Sequence, residues 1–502
     1  MKKSINIVWF KKDLRVDDHK PLVAAMRLGE SIGLFVVEDS WLKSPEYSPR
    51  HLSFAMDCLR ELDLELKKIG VPLMLKKGDA LSVFSQLDHK YNIKAVFSHE
   101  ETGLQWTYKR DIDFGIWCKE RSIEWTEYPQ FAVIRGLKDR DKWNSRRNSI
   151  VKRPVVVAPT QQRINDFEDI VWEEGSLDLS NYKSIQIGGS AEAKTLLASF
   201  LNKRGERYSS EMSSPVKAFD ACSRISPHLS WGAISLPMIH EMLDSVKNNL
   251  SSLEWQRSLR SFESRLWWHC HFIQKLESEP EIEFENMNPG FNGMRESDFN
   301  EQYFDAWKKG ETGFPLIDAS MRALHETGWI NFRMRAMLIS FASYQLWLHW
   351  RKPAQYLASL FTDFEPGIHF SQVQMQSGVT GINAIRIYSP IKQAKDQDPE
   401  AKFIKKYCPE LAEIPDTLAG EPWALTPMEQ MLYNTKLGSN YPDRIVDPKE
   451  SYQFAKSRIF EWRSKPEVKE LSKSVYKKHG SRKNSHFPSQ NRKTFGNFKK
   501  GN

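Results

Sequence analysis

The chain has 502 residues, of which 27% are charged and 40% hydrophobic, and a formal net charge of +8. This is the composition of a globular protein, with room for about three domains at ~150 residues each. No apolar run approaches the ~18 residues that a membrane span needs, and the five scattered cysteines include no C-x-x-C pair, which excludes a disulfide framework, a zinc site and an iron–sulfur cluster.

The first 130 residues alternate between two periods. INIVWF (5–10), SIGLFVV (31–37), PLML (72–75), IKAVFSH (93–99) and SIEWTEY (122–128) are short apolar runs of the strand type. Between the second and third, Met56, Leu59, Leu62 and Leu66 recur at helical spacing and Gly70 closes the pattern. Such alternation predicts an α/β domain with a doubly wound parallel sheet over residues 1–130. The first turn, Lys11 to Arg15, is not a G-x-G-x-x-G loop, so a dinucleotide held in the Rossmann manner is not expected here. The start, MKKSINIVWF, has no secretory apolar region or cleavage site and reads as a cytoplasmic protein.

Residues 131–189 read as an interdomain linker. Eight Lys/Arg stand against two Asp between Arg135 and Arg153, without a clear period, and Pro154 and Pro159 punctuate the segment. From Ser190 to 463 the chain is expected to be all helical. Ser190 and Ser235 are candidate caps, and Ile317, Met321 and Leu324 line one face of a helix that Gly328 ends. A long central helix is expected from Trp329 to about Trp350, apolar on most sides. Nine Lys/Arg and no acid follow Leu471, so residues 464–502 read as a basic, disordered tail that either attracts phosphate or merely solubilises.

Three groups of residues could carry chemistry. DACSRISPHLSWGAIS (220–235) sets Ser223 and Ser226 around a turn, as an anion cradle or an ordinary helix cap. Arg335, Asp363 and Glu365 are charges inside apolar sequence that require partners, whether in a structural ion pair or a ligand site. Seventeen tryptophans include Trp267, Trp268, Trp307, Trp329, Trp347 and Trp350 in the helical half, most of which core packing must account for.

WFKKDLRVDDHKPL near the N-terminus, TGFPLIDASMRALHETGWINFRMR and FTDFEPG further on, and SGVTGINAIRIYSPIKQAKDQDPEAKFIKKYCPEL at 377–411 together resemble the photolyase and cryptochrome family over residues 5–447. The resemblance implies an N-terminal antenna domain, a helical FAD-binding domain, and light-driven splitting of cyclobutane pyrimidine dimers in DNA. The alternative it carries is a cryptochrome-like photoreceptor that binds FAD without repair. A third reading is a flavin-free nucleic-acid-binding protein that keeps only the fold, against which the retention of both Arg335 and Asp363 stands.

By the same resemblance, Cys222, Ser223, Arg224, Ile225 and Ser226 occupy the FAD pyrophosphate segment, with Cys222 in place of the usual threonine, and Tyr208 stands near the phosphates. Arg335 and Asp363 would lie across the isoalloxazine edge, with Trp329 close by. Glu365, one methylene longer than the usual aspartate, would face N1/C2, and His369 replaces the asparagine that faces N5. For the substrate, Trp268 matches one stacking residue, Met375 replaces the second, and Arg265 replaces a glutamate, with Glu263 nearby. Asn331 and Phe332 stand where (6-4) photolyases have two histidines. Of the family's three relay tryptophans only Trp350 is matched; Val373 holds the proximal place and the surface place falls near Ser297, so Trp347 or Trp307 would have to substitute. The resemblance allows an antenna chromophore without giving its identity, and Thr107 in place of a folate-binding glutamate lowers that expectation. The expected partner is lesion-bearing DNA, single- or double-stranded, met by a monomer with no membrane association.

Overall fold

The structure is a computed structural model that describes residues 2–158, 160, 172, 174, 186–247, 252–297 and 299–481. The five expected strands form one parallel sheet: β1 Ser4–Phe10, β2 Ser31–Glu38, β3 Leu73–Gly78, β4 Asn92–His99 and β5 Glu124–Tyr128, in the order β3-β2-β1-β4-β5. Its strands β1 and β2 are apolar on both faces because both are covered, whereas the edge strand β5 has no buried residue. Ile5, Ile7 and Trp9 pack on one side against Phe84, Phe114 and Trp117, while Val8 and Phe10 pack on the other against Leu22, Phe54 and Leu59. The helices that supply these residues are α1 Lys20–Leu28, α2 Pro49–Lys68, α3 Ala80–Lys90 and α4 Gln105–Glu120. Strand order reverses between β1 and β4, so a crevice opens beyond their carboxyl ends.

The connection contains regular structure that composition concealed. Helix α5 spans Trp143–Val151 and buries Trp143, Arg147 and Val151, one per turn. Three contacts at four-residue spacing are too few to stand out among eight cations. The expectation for residues 161–171 and 175–185 lies outside the described residues.

Beyond it the chain is helical, built around α6 Ser190–Asn202, α7 Leu236–Lys247, α8 Leu253–Ser278, α9 Pro315–Thr327, α10 Phe332–Ser340, α11 Arg351–Leu360 and α12 Pro366–Ser377, with shorter helices between. The Ser235 hydroxyl accepts the Met238 N–H at 3.3 Å, and Gly328 ends α9 in the left-handed conformation (φ 69°), both as expected. The continuous helix expected from Trp329 to Trp350 is a correction. It ends at Ser340, widens into a π turn over Phe341–Gln345, and stops at Trp347, whose φ is 54°. A segment apolar all round signals burial, not continuity. Here the interruption is held by tertiary bonds such as Gln345 Nε2 to the Tyr388 carbonyl, 2.6 Å. The tail expected from 464 is corrected over its first part, and the expectation for residues 482–502 lies outside the described residues. α13 Pro448–Ser464 is followed by α14 Pro466–His479, which buries Val468 and Val475 and bonds Asn288 to Ser472 at 3.0 Å. Its apolar positions are sparse enough for the charges to dominate composition.

The sheet domain grips the helical one directly. Arg50, at the start of α2, donates to the carbonyls of Leu324 (2.9 Å), His325 (2.6 Å) and Leu360 (2.7 Å), and so caps the ends of α9 and α11. Next to it, His51 Nε2 meets the Phe361 carbonyl at 2.9 Å. Arg15, only 2% exposed, donates to the Gly232 carbonyl at 2.8 Å.

Candidate flavin site and its comparison with known proteins

Arg335 leaves α10 and donates through Nη1 and Nη2 to the two Asp363 carboxylate oxygens, 2.9 Å each, while its Nε holds the Ile330 carbonyl at 2.8 Å. Its guanidinium lies 4.1 Å from the Phe361 ring centroid. Burial would raise the Asp363 pKa; the Arg335 charge and its hydrogen bonds, with one from the Ser226 hydroxyl, outweigh burial and hold the carboxyl below its ordinary value. The Ser226 bond joins the pair to the 222–226 segment.

That segment is shaped by Arg204, which donates to the carbonyls of Asp220 (2.5 Å), Cys222 (2.7 Å) and Ser223 (3.3 Å). Turning these carbonyls toward Arg204 forces a tight bend, and Arg224 adopts φ 64°, unusual for a side-chain-bearing residue. The bend lays the Arg224 guanidinium over Trp329 at 3.9 Å from the ring centroid. Trp329 in turn meets Phe219 edge-on at 5.1 Å. Ile225 is buried among the neighbouring apolar side chains. Tyr208 is buried against Phe200 and Phe262, and its hydroxyl bonds Arg265; burial raises its pKa. Burial also pushes the Cys222 thiol up to about 12, although Arg224, Arg204, Arg335 and Arg265 all act to lower it.

Four arginines thus converge on Cys222, and Asp363 is the carboxylate that faces two of them, Arg335 and Arg224. Burial lowers the Arg224 pKa to about 10, and its Nη1 is buried without an acceptor. A buried guanidinium N–H left unpaired is costly unless an anion completes the site. These residues therefore fit the pyrophosphate of a dinucleotide, with the 222–226 bend as its cradle. His369 accompanies them: its Nε2 meets the Ala354 carbonyl at 2.8 Å, it packs against Phe361, Phe364 and Phe370, and burial lowers its pKa to about 4, so it is neutral.

Glu365 is placed differently. Although only two residues from Asp363, it lines a small cavity of about 10 Å³ together with Lys12, Asp13, His99, Glu100, Glu101 and Gln130 of the sheet domain. Flanking it, Phe364 and Pro366 line a larger cavity of about 80 Å³ at the sheet's crevice, whose walls include Trp9, Trp41, Trp106, Thr107 and Trp231. Arg110, beneath it, pairs with Glu38 (2.5 Å), Glu101 and Asp111 (2.7 Å). The aromatic wall was not legible in the sequence because its tryptophans lie far apart; Trp9 of β1, Trp41 after β2, Trp106 after β4 and Trp231 of the helical half meet only in the fold.

The residues expected at the substrate are only partly together. Trp268 is half-buried, stacked on Phe272 (5.4 Å, 23°) and edge-on to Trp267 and His271. Met375 is half-buried on α12. Arg265 bonds Tyr208 at the cradle, and Glu263 pairs with Lys247 of α7 at 2.7 Å. Trp350 is fully buried, with its Nε1 donating to Asn286 Oδ1 at 2.7 Å and its ring 6.4 Å from Phe370. Trp347 carries Arg295 at 4.3 Å over its ring, and Trp307 packs with Phe304 and Tyr356. Among the described residues these three tryptophans make no ring contact with one another.

The model of the DNA photolyase family matches residues 6–134, and that of the FAD binding domain of DNA photolyase matches residues 262–461. A deoxyribodipyrimidine photo-lyase of Alkalihalophilus pseudofirmus is 26% identical over 88% of this chain and 95% of its own length. A cryptochrome DASH of Gloeobacter violaceus is 27% identical over 88% and 93%. In structure, a bacterial class III photolyase from Agrobacterium tumefaciens superposes with a TM-score of 0.80 at 22% identity, covering 93% of this chain and 99% of that one. With the parallel sheet, the helical domain and the arginine-lined cradle closed by the Arg335–Asp363 pair, this chain belongs to the photolyase and cryptochrome family, and its helical half is an FAD-binding domain.

Proposed function

We propose that the protein is a light-dependent DNA repair flavoprotein that splits cyclobutane pyrimidine dimers, acting as a cytoplasmic monomer on single- or double-stranded DNA. The observation that carries this reading is the bidentate Arg335–Asp363 pair joined through Ser226 to the 222–226 bend. When bound, FAD supplies the light-absorbing electron donor. Arg204 and the left-handed Arg224 shape and charge the cradle, so that the pyrophosphate is met by fixed cations and not by water. Arg335 and Asp363 hold one another in register, which fixes the edge presented to the ring system. Trp268, stacked on Phe272 and half-exposed, offers the face on which an extruded base can lie. The larger interdomain cavity, walled by four tryptophans, suits a planar antenna chromophore.

A second reading, a cryptochrome-like photoreceptor without repair, is favoured by one feature. The two residues nearest the family's substrate glutamate are engaged elsewhere, Arg265 with Tyr208 and Glu263 with Lys247. Illumination of the reduced, FAD-loaded protein with dimer-bearing DNA separates the two: restored thymines support the enzyme, and intact dimers under full reduction support the receptor.

A further inference from the structure

The turn between α11 and α12 touches two compartments at once. Asp363 faces Arg335 and the cradle, whereas Glu365 points into the small interdomain cavity. Glu365 is 5% exposed, and its Oε1 has no hydrogen-bond partner; the carboxylate also accepts from the Gly367 N–H. A buried carboxylate with one unpartnered oxygen, on a residue that lines a cavity with room for about one water, is a place where a proton can come and go. The charged groups around it are known from every side. From the loop after β1 come Lys11, Lys12 and Asp13, from the end of β4 comes His99, and from the loop after it come Glu100 and Glu101. Lys11 is engaged by Asp111 at 3.1 Å, Asp13 by His19 (2.8 Å) and His99 (2.7 Å), and Glu101 by Arg110. Lys12 faces Glu365 as the opposing charge, with its ammonium 6.0 Å over the Trp231 ring. The larger cavity shares Lys11, Lys12, Glu101 and Gly103 with the small one, which gives a polar route from the domain cleft to the carboxyl.

We propose that Glu365, on the interdomain side of the turn that carries Asp363, exchanges a proton with solvent through the interdomain cavity, taking one up when the negative charge of FAD binds on the Asp363 side. The proposal rests on FAD binding and not on the repair reading. Its chemistry is one acid–base step, in which a solvent proton adds to the Glu365 carboxylate and leaves again when FAD dissociates. Burial already raises the Glu365 pKa to about 7, with Lys12 lowering it and Glu101 raising it, so the group is poised to respond near neutrality. Added negative charge nearby favours the protonated form further. A neutral acid in this position keeps the cradle's cations available to the pyrophosphate.

The test is calorimetric titration of the flavin-free protein with FAD, slightly above neutral pH, in buffers of different ionisation enthalpy. The wild type should take up a substantial fraction of a proton, about half, per FAD. Glu365→Gln should bind FAD with that uptake largely lost. Lys12→Met, which removes the charge that lowers the Glu365 pKa, should move the pH of maximal uptake upward. Infrared spectra of the flavin-free protein below neutral pH should show a deuterium-sensitive protonated-carboxyl band that Glu365→Gln removes. FAD binding without uptake in the wild type, or with unchanged uptake in Glu365→Gln, would overturn the proposal. Failure of the wild type to bind FAD at all would contradict the cofactor and the proposal together.

Discussion

Asp363 and Arg335, 28 positions apart in sequence, are joined by two hydrogen bonds of equal length, yet they are not equally buried: the Asp363 side chain is 5% exposed and that of Arg335 25%. The imbalance decides which partner can be lost more safely. Arg335→Ala leaves a buried carboxylate without its main counter-charge and should cost about 3–5 kcal/mol of unfolding free energy. Asp363→Ala leaves a cation with access to water and should cost less, while weakening FAD retention comparably. Urea unfolding and flavin content of the two purified variants check this order.

His51 should make the interdomain grip sensitive to acid. Burial lowers its pKa to about 4, with the Phe361 carbonyl and nearby charges acting as smaller influences. The folded protein therefore binds fewer protons at this site than the unfolded chain does. The contribution is fully present above the unfolded value of 6.5 and is lost progressively as pH falls from there toward 4, by up to about 3 kcal/mol. His51→Asn, which can still donate to the carbonyl but does not titrate, should flatten that part of a stability-against-pH curve. An unchanged slope would remove His51 from the account.

Gly232 sits where the helical domain's loop meets the first turn of the sheet domain. Its φ is 62°, and a β-carbon there would overlap the Lys12 carbonyl oxygen. Gly232→Ala should therefore destabilise by more than the ~1 kcal/mol expected of backbone conformation alone, because the Arg15–Gly232 contact must open as well. Thermal unfolding of this variant beside Gly136→Ala, at a left-handed glycine with open space around it, isolates the close approach.

The electron relay gives a prediction of no effect. Trp350 is buried and hydrogen-bonded to Asn286, it makes no ring contact with Trp347 or Trp307 among the described residues, and Arg295 lies over Trp347 with a positive charge that disfavours an electron-deficient ring. Trp350→Phe should leave the rate of flavin photoreduction by an external reductant unchanged, while costing about 1–3 kcal/mol through the orphaned Asn286 oxygen. A large loss of photoreduction would show that Trp350 conducts despite the missing neighbours.

Much of this architecture was legible before any coordinates. The five strands stand out because a sheet covered on both faces needs unbroken apolar runs, and Ile5, Ile7 and Trp9 point one way while Val8 and Phe10 point the other. Arg335, Asp363 and Glu365 stood out as charges within apolar sequence that require partners, and it was the family resemblance that set Arg335 and Asp363 together. What could not be read is direction. Asp363 and Glu365 are near neighbours on one turn, yet one serves the cradle and the other an interdomain cavity, a difference set by Lys12 and the loop after β4. Arg265 likewise was expected by resemblance at the substrate, but the structure bonds it to Tyr208. The π turn at Phe341–Gln345 left no signal, since it contains neither glycine nor proline.

The most direct measurement of the central claim is illumination of the purified, FAD-loaded and chemically reduced protein with an oligonucleotide carrying one defined cyclobutane thymine dimer, followed by chromatographic quantification of the repaired strand. The account predicts light-dependent conversion in the wild type and its loss in Asp363→Ala as flavin is lost. Intact dimers after prolonged illumination, with the flavin bound and fully reduced, would contradict it.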